Sequence, residues 1–191
     1  MLPTPTSAVL LAAGRSVRMG RDKALLEVEG APLWRRQRAV LAASGAGEIL
    51  LSARVDQPWV AEAAREFAAV VTDPVADAGP LAGIVASLAV AKAPHLAVLA
   101  IDLPRMDVGW FATLGARCAP GCGAVGRRGE FFEPLAAIYP REITPLARAA
   151  LARGERSLQH LLAAAEAAGL MQAVEISAAE VALFQNWNEP G

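Results

Sequence analysis

Between Leu10 and Lys23 the chain reads Leu-Leu-Ala-Ala-Gly-Arg-Ser-Val-Arg-Met-Gly-Arg-Asp-Lys. An apolar run stops at a glycine and opens into a segment carrying Arg15, Arg18, Arg21 and Lys23, opposed only by Asp22. Gly14 and Gly20 lack a Cβ, so backbone N–H groups there can come close to an oxyanion. Ser16 adds a hydroxyl donor. Arg18 can grip a phosphate through two parallel hydrogen bonds, and Lys23 supplies a compact charge. The chemistry indicated is the holding of a polyphosphate; the plain alternative for any local cluster of cations is a solvated surface loop. The pattern is not the common phosphate-binding loop, which needs Ser or Thr after the lysine, where Ala24 stands. Nor do Gly14 and Gly20 have the spacing of the dinucleotide fingerprint.

Two further polar positions follow short apolar runs. Asp73 comes after Ala69–Thr72 and precedes Gly79-Pro80-Leu81-Ala82-Gly83, where glycines again permit close backbone approach. Asp73 could accept hydrogen bonds from a base or ribose, or could be an ordinary turn residue fixed beside Pro74. Asp102-Leu103-Pro104 follows Leu96–Ile101. A carboxylate at a strand end can bind Mg²⁺, which keeps water ligands and shares itself with phosphates. An aspartate here could equally start a helix, but Asp107 is placed to cap the next one, leaving Asp102 open for chemistry.

Taken in register, Leu11-Ala12-Ala13-Gly14, Ser16, Arg18-Met19-Gly20 and Asp22-Lys23 resemble the signature of the nucleotidyltransferases of molybdenum cofactor metabolism. The Gly-Pro-Leu-Ala-Gly turn, Asp102-Leu103-Pro104, Glu133-Pro134-Leu135, Gly154-Glu155-Arg156-Ser157-Leu158 and Phe184-Gln185-Asn186-Trp187-Asn188 resemble later blocks of the same family, in the same order. The likeness runs from about Ser7 to Asn188. It implies a Rossmann-like three-layer α/β/α nucleotidyltransferase fold with a mostly parallel central sheet. It implies GMP transfer from GTP to the terminal phosphate of molybdopterin, releasing pyrophosphate. Leu11, Ala12, Ala13, Gly14, Arg15, Ser16, Gly20, Lys23, Asp73, Gly83 and Asp102 would hold the nucleotide. Arg18, Lys23 and Asp102 would act in transfer, with Mg²⁺ on Asp102. Pro134, Asn186 and Asn188 would border the acceptor, and a molybdenum-insertion or molybdoenzyme protein is an expected partner. The sequence departs from the guanylyl pattern at Ala13, where cytidylyl-transferring relatives have alanine, so CTP is the alternative nucleotide. It departs again at Ser52-Ala53-Arg54, where the family often carries an asparagine near guanine. A non-catalytic carrier of nucleotide or pterin is the alternative of another class.

The elements that would position these residues alternate. Ala8–Ala13, Glu48–Ala53, Ala69–Thr72 and Leu96–Ile101 read as short buried strands, separated by helical stretches over 32–44, 58–67 and 80–92. That succession predicts a parallel sheet covered by helices. Gly14, Asp73 and Asp102 each follow a strand, and open parallel sheets bind ligands at the carboxyl ends of their strands. Beyond Val108 the expected order is a helix over 109–117, two extended segments about the turn at Arg128-Gly129-Glu130, helices over 142–152 and 157–168, and a last strand near 172–176. A single domain is expected, with nucleotide-binding residues in about 7–106 and acceptor-binding residues in about 107–191.

A local basic cluster in a near-neutral chain suits a small anionic ligand better than a polyanion. The chain has 191 residues, 54% hydrophobic, with a net charge of −1, which gives no field to attract nucleic acid. No apolar stretch approaches the ~20 residues that cross a bilayer, and the N-terminus does not read as a signal peptide, so a cytoplasmic location is expected. Cys118 and Cys122 read as two incidental reduced thiols, since His95 and His160 are too remote in sequence to join them in a metal site.

Overall fold

All six residues of the first strand, β1 (Thr6–Leu11), are buried, as a strand covered on both faces requires. The computed structural model describes residues 1–14, 22–72 and 79–186. In chain order β1 is followed by β2 (Glu27–Val28), β3 (Ala31–Pro32), helix α1 (Leu33–Ala43), β4 (Glu48–Ser52), α2 (Val60–Ala63), β5 (Ala69–Val71), α3 (Pro80–Val90) and β6 (His95–Ala100). Then come α4 (Val108–Gly115), β7 (Gly123–Arg128), β8 (Phe131–Pro140), α5 (Thr144–Ala152), α6 (Leu158–Ala167) and β9 (Met171–Glu175).

The central sheet has seven strands in the order β5-β4-β1-β6-β8-β7-β9. β1 pairs in parallel with β4 on one side and β6 on the other. β8 alone runs against its neighbours β6 and β7, and β9 pairs in parallel with β7. The sheet is therefore mostly parallel, as expected from the sequence. The chain winds outward from β1 through β4 to β5, then returns to β6 on the far side of β1. The strand order reverses at β1, and the crevice between the carboxyl ends of β1 and β6 is the switch point where such sheets bind ligands.

Alternation along the strands divides the core into two layers. Ala8 and Leu10 of β1, with Ala97 and Leu99 of β6, pack with Leu33, Trp34 and Leu41 of α1 and Trp110, Phe111 and Leu114 of α4. Val9 and Leu11, with Leu96 and Val98, pack with Leu81, Ile84 and Leu88 of α3 and with Leu158, Leu161 and Leu162 of α6. Helices cover both faces, giving the three-layer Rossmann-like α/β/α arrangement.

Two elements differ from the sequence expectation. The helix expected over 58–67 is a single α-turn at Val60–Ala63 continued by a 3-10 turn at Ala64–Glu66. Pro32 does not open α1 but closes a small hairpin, pairing with Glu27 across a turn in which Glu29 (φ 53°) and Gly30 (φ 80°) are both left-handed. That is the two-residue turn whose twist suits a hairpin, and glutamate is an uncommon first residue for it, so the pattern gave little warning. Asp107 does cap α4, accepting a hydrogen bond from Trp110 N–H at 2.9 Å.

Candidate active site

The carboxyl ends of β1 and β6 lie side by side, with Leu11 opposite Ala100 and Ile101 N–H donating to the Leu11 carbonyl at 3.0 Å. Ala12, Ala13 and Gly14 leave the sheet from one strand and Asp102 from its neighbour. The loop that begins at Gly14 re-enters the described structure at Asp22. There the Asp22 carboxylate caps a 3-10 turn, Lys23–Leu25, by accepting from Ala24 N–H at 3.1 Å. Ala24 is fully buried and fixes that turn to the α1 layer of the core. Lys23, the first residue of the turn, is thereby set beside the foot of the loop. Arg15, Ser16, Arg18, Gly20, Asp73 and Asn188 fall outside the described residues.

Asp102 sits, partly exposed, in the turn between β6 and α4. Its carboxylate takes no hydrogen bond or ion pair among the described residues. The turn itself is held from below by Gln37 of α1, which is fully buried and donates to the Leu103 carbonyl at 2.6 Å and the Ala100 carbonyl at 3.5 Å. Among the described residues there is no group of three or more His, Cys, Asp or Glu that could hold a metal ion. A single carboxylate without a partner among the described residues suits Mg²⁺ that takes its other oxygens from phosphates and water, and does not suit a cage made of protein alone.

On the other side of the crevice β8 changes register. Ala124 of β7 faces Ile138, but Gly126 faces Glu133, so β8 carries extra residues around Pro134. Two buried side chains satisfy the displaced carbonyls: Tyr139 donates to Pro134 O and Trp110 Nε1 to Ala136 O, each at 2.9 Å. Burial pushes the pKa of the neighbouring Glu133 carboxyl above its ordinary value, against the pull of Arg128. The C-terminal segment reaches the same region. Phe184 packs edge-on against Trp110, with ring centroids 4.9 Å apart, and Arg105 donates to the Gln185 side chain at 2.6 Å. Arg105 lies three residues beyond Asp102, so this bond ties Gln185, the neighbour of Asn186, to the segment that follows the Asp102 turn. Gly83 has a different setting. It is buried in α3, and a Cβ there would come within 2.8 Å of Ser52 Oγ and 3.4 Å of Leu11 Cδ2, so the glycine brings the helix close to the sheet.

Residues 8–173 match the family described as the MobA-like NTP transferase domain. The chain belongs to this family. The transferase is 41% identical over 187 residues to the "Probable molybdenum cofactor guanylyltransferase" of Opitutus terrae, covering 96% of this chain and 91% of that one. It is 37% identical over 190 residues to the molybdenum cofactor guanylyltransferase of Pseudomonas paraeruginosa, covering 97% of this chain and 91% of that one. Among solved structures it is similar to the molybdopterin-guanine dinucleotide biosynthesis protein A of Archaeoglobus fulgidus, with a TM-score of 0.73 and 22% identity over 96% of this chain and 93% of that one. A nucleotidyl transferase of Methanothermobacter is similar at a TM-score of 0.76 and 19% identity, covering 95% and 91%. At those identities the structural likenesses show the fold.

Three residues that hold the backbone around the transferase's crevice, Gln37, Gln57 and Trp59, were not singled out by sequence, and Arg54 was noted only as part of a departure from the family pattern. Gln37 carried a readable signal, being the one polar side chain among Leu33, Trp34 and Leu41 on the buried face of α1. A buried amide must find partners, and the turn above it supplies them. Arg54, Gln57 and Trp59 follow β4 in an irregular segment, where no periodicity marks what is buried.

Proposed function

We propose that the protein transfers GMP from GTP to the terminal phosphate of molybdopterin, giving molybdopterin guanine dinucleotide and pyrophosphate. The observation that carries this reading is the 41% identity to the Opitutus protein along nearly the whole of both chains. The placement of the Gly14 loop and the Asp102 turn on adjacent strand ends supports it. In this reading about 7–106 hold the nucleotide and about 107–191 the acceptor, within one domain. Leu11, Ala12, Ala13 and Gly14, with Arg15, Ser16, Gly20, Asp73 and Gly83, bind GTP. The Ala12 N–H is already donated to the Ser52 carbonyl at 2.7 Å, and among the described residues the Gly14 N–H is left open as a donor at the loop's start. Arg18 and Lys23 neutralise the charge that develops on the departing pyrophosphate. Asp102 is the residue that would hold Mg²⁺, which when bound supplies charge neutralisation at the phosphates. Pro134, Asn186 and Asn188 border the pterin.

An oxygen of the molybdopterin phosphate bonds to the α-phosphorus as the bond from that phosphorus to the β-phosphate bridge breaks, and the electron pair leaves with pyrophosphate. The attacking phosphate is already ionised, so no general base is required. Positioning and electrostatic stabilisation supply the acceleration. The setting is cytoplasmic, and a molybdenum-insertion or molybdoenzyme protein receives the product.

The test is incubation with molybdopterin, Mg²⁺ and each triphosphate in turn, with the product identified by mass. The guanine dinucleotide is expected, and a cytosine dinucleotide or no dinucleotide would overturn the reading. Lys23→Ala and Asp102→Asn should each lower kcat/KM by about 10²–10³-fold. Full turnover by either variant at saturating GTP would remove that residue from the mechanism.

A further inference from the structure

The segment after β4 reaches back across the sheet edge and takes hold of both ends of the loop that begins at Gly14. Gln57, only 3% exposed, is the hub. Its carbonyl oxygen accepts from Arg54 N–H at 2.7 Å. Its amide nitrogen donates to the Ala12 carbonyl, on the near side of the loop, at 3.0 Å, and to the Asp22 carboxylate, on the far side, at 2.7 Å. Only one orientation of the amide satisfies all three partners, because a flipped amide would set a donor against the Arg54 N–H and a carbonyl against a carboxylate. Trp59 adds a second donor, its Nε1 reaching the same Asp22 oxygen at 2.7 Å. That indole is 6% exposed and stacks on Trp34 of α1, with centroids 6.2 Å apart. Arg54 completes the set. Its guanidinium donates to the carbonyls of Ala13 at 2.8 Å and Gly14 at 3.0 Å. In a planar trans peptide the C=O and the following N–H point in opposite directions. Tying the Ala13 carbonyl to Arg54 therefore turns the Gly14 N–H away from Arg54, and among the described residues that N–H donates to nothing.

We propose that Arg54, Gln57 and Trp59 are positioning residues for the triphosphate: they join Ala12 to Asp22 so that the Gly14 N–H and Lys23 are presented to the phosphates of one nucleotide in fixed relation. This rests on the GTP reading above. It also gives a role to Arg54, a cation that braces the loop's backbone. Because the brace acts through Ala12, Asp22 and Lys23, its loss falls on the nucleotide and not on the acceptor.

The experiment compares Gln57→Met, which fills the same space without hydrogen bonds, with Asp22→Asn and with the double variant. Each is read as kcat/KM for GTP, KM for molybdopterin, and GTP affinity by direct titration without acceptor. Gln57→Met is expected to lose about 10–100-fold in kcat/KM for GTP, the range of losing one or two hydrogen bonds to a charged group, while KM for molybdopterin stays within about twofold. The double variant should lose less than the product of the two single losses, because both break one contact. Trp59→Phe keeps the ring and removes one donor. It is expected to lose about 3–10-fold on the same scale, and it decides the matter if Gln57→Met does not fold. Equal losses for GTP and molybdopterin, or unchanged GTP parameters in a folded variant, would overturn the proposal. If the wild type binds GTP but makes no dinucleotide, the transferase reading fails, and the brace is then judged on GTP affinity alone by the same fold-changes.

Discussion

At the scale of single residues the molecule separates the side chains at its crevice from those that only hold the fold. Glu48 opens β4, at the opposite end of the sheet from Asp102. Burial raises the pKa of its carboxyl, but the Ser7 hydroxyl at 2.6 Å, the Lys92 backbone N–H at 2.6 Å and the Lys92 ammonium more than reverse this, leaving it below the ordinary carboxylate value. A carboxyl with a lowered folded pKa stabilises the native state above its unfolded pKa, and that contribution is lost as pH falls through the folded value. Glu48→Gln should therefore cost about 1 kcal/mol at pH 7 in denaturant unfolding. The difference from wild type should shrink on acidification below pH 4.5, with kcat/KM unchanged at pH 7. The two cysteines also belong to the fold. Burial and the neighbouring Cys122 push the Cys118 thiol up to about 12, so it stays protonated and is a poor nucleophile at neutral pH. The Asp22 and Gln57 pair sits on the other side of the division, with its contacts directed at the loop.

At the scale of elements, close approach sets the tolerances. β7 lies so near β8 and β9 that a Cβ on Gly123 would overlap the Ile138 carbonyl oxygen, a backbone atom that cannot rotate away. A Cβ on Gly83 would meet the Ser52 hydroxyl at 2.8 Å, which a change at Ser52 can remove. Gly123→Ala should destabilise by about 3 kcal/mol or more, at or beyond the top of the usual overpacking range. Gly83→Ala should cost about 1–2 kcal/mol, the clash being partly offset by the better helix propensity of alanine. Adding Ser52→Ala should restore most of the loss at residue 83. Thermal unfolding of the single and double variants checks the order, and a Gly123→Ala protein as stable as wild type would contradict the register of β7. The bulge around Pro134 shows the same constraint. Its displaced carbonyls are tolerated because Tyr139 and Trp110, both buried, supply donors.

For the whole molecule the governing feature is the reversal of strand order at β1, which brings the loop after β1 and the turn after β6 to one crevice. Binding there should couple to global stability. GTP with Mg²⁺ at about a hundred times its Kd adds about 2.7 kcal/mol, which for a chain of this length raises Tm by about 5–10 °C. A chelator should abolish that shift while leaving the Tm of the nucleotide-free protein unchanged, and an identical shift with and without chelator would count against Asp102 as a magnesium site. No helix among the described residues is long and apolar enough to cross a membrane. The sequence by itself determined the alternation of buried strands and helices, because unbroken apolar runs ending at Gly14 and Asp102 can be satisfied only by a sheet covered on both faces. It also determined the family, through motifs spread along the chain in order. Strand order, the register jump at Pro134 and the brace made by Arg54, Gln57 and Trp59 were decided only in the tertiary structure. Each depends on which backbone carbonyls and carboxylates come within about 3 Å of a donor far away in sequence, and no local pattern of residue types encodes that proximity.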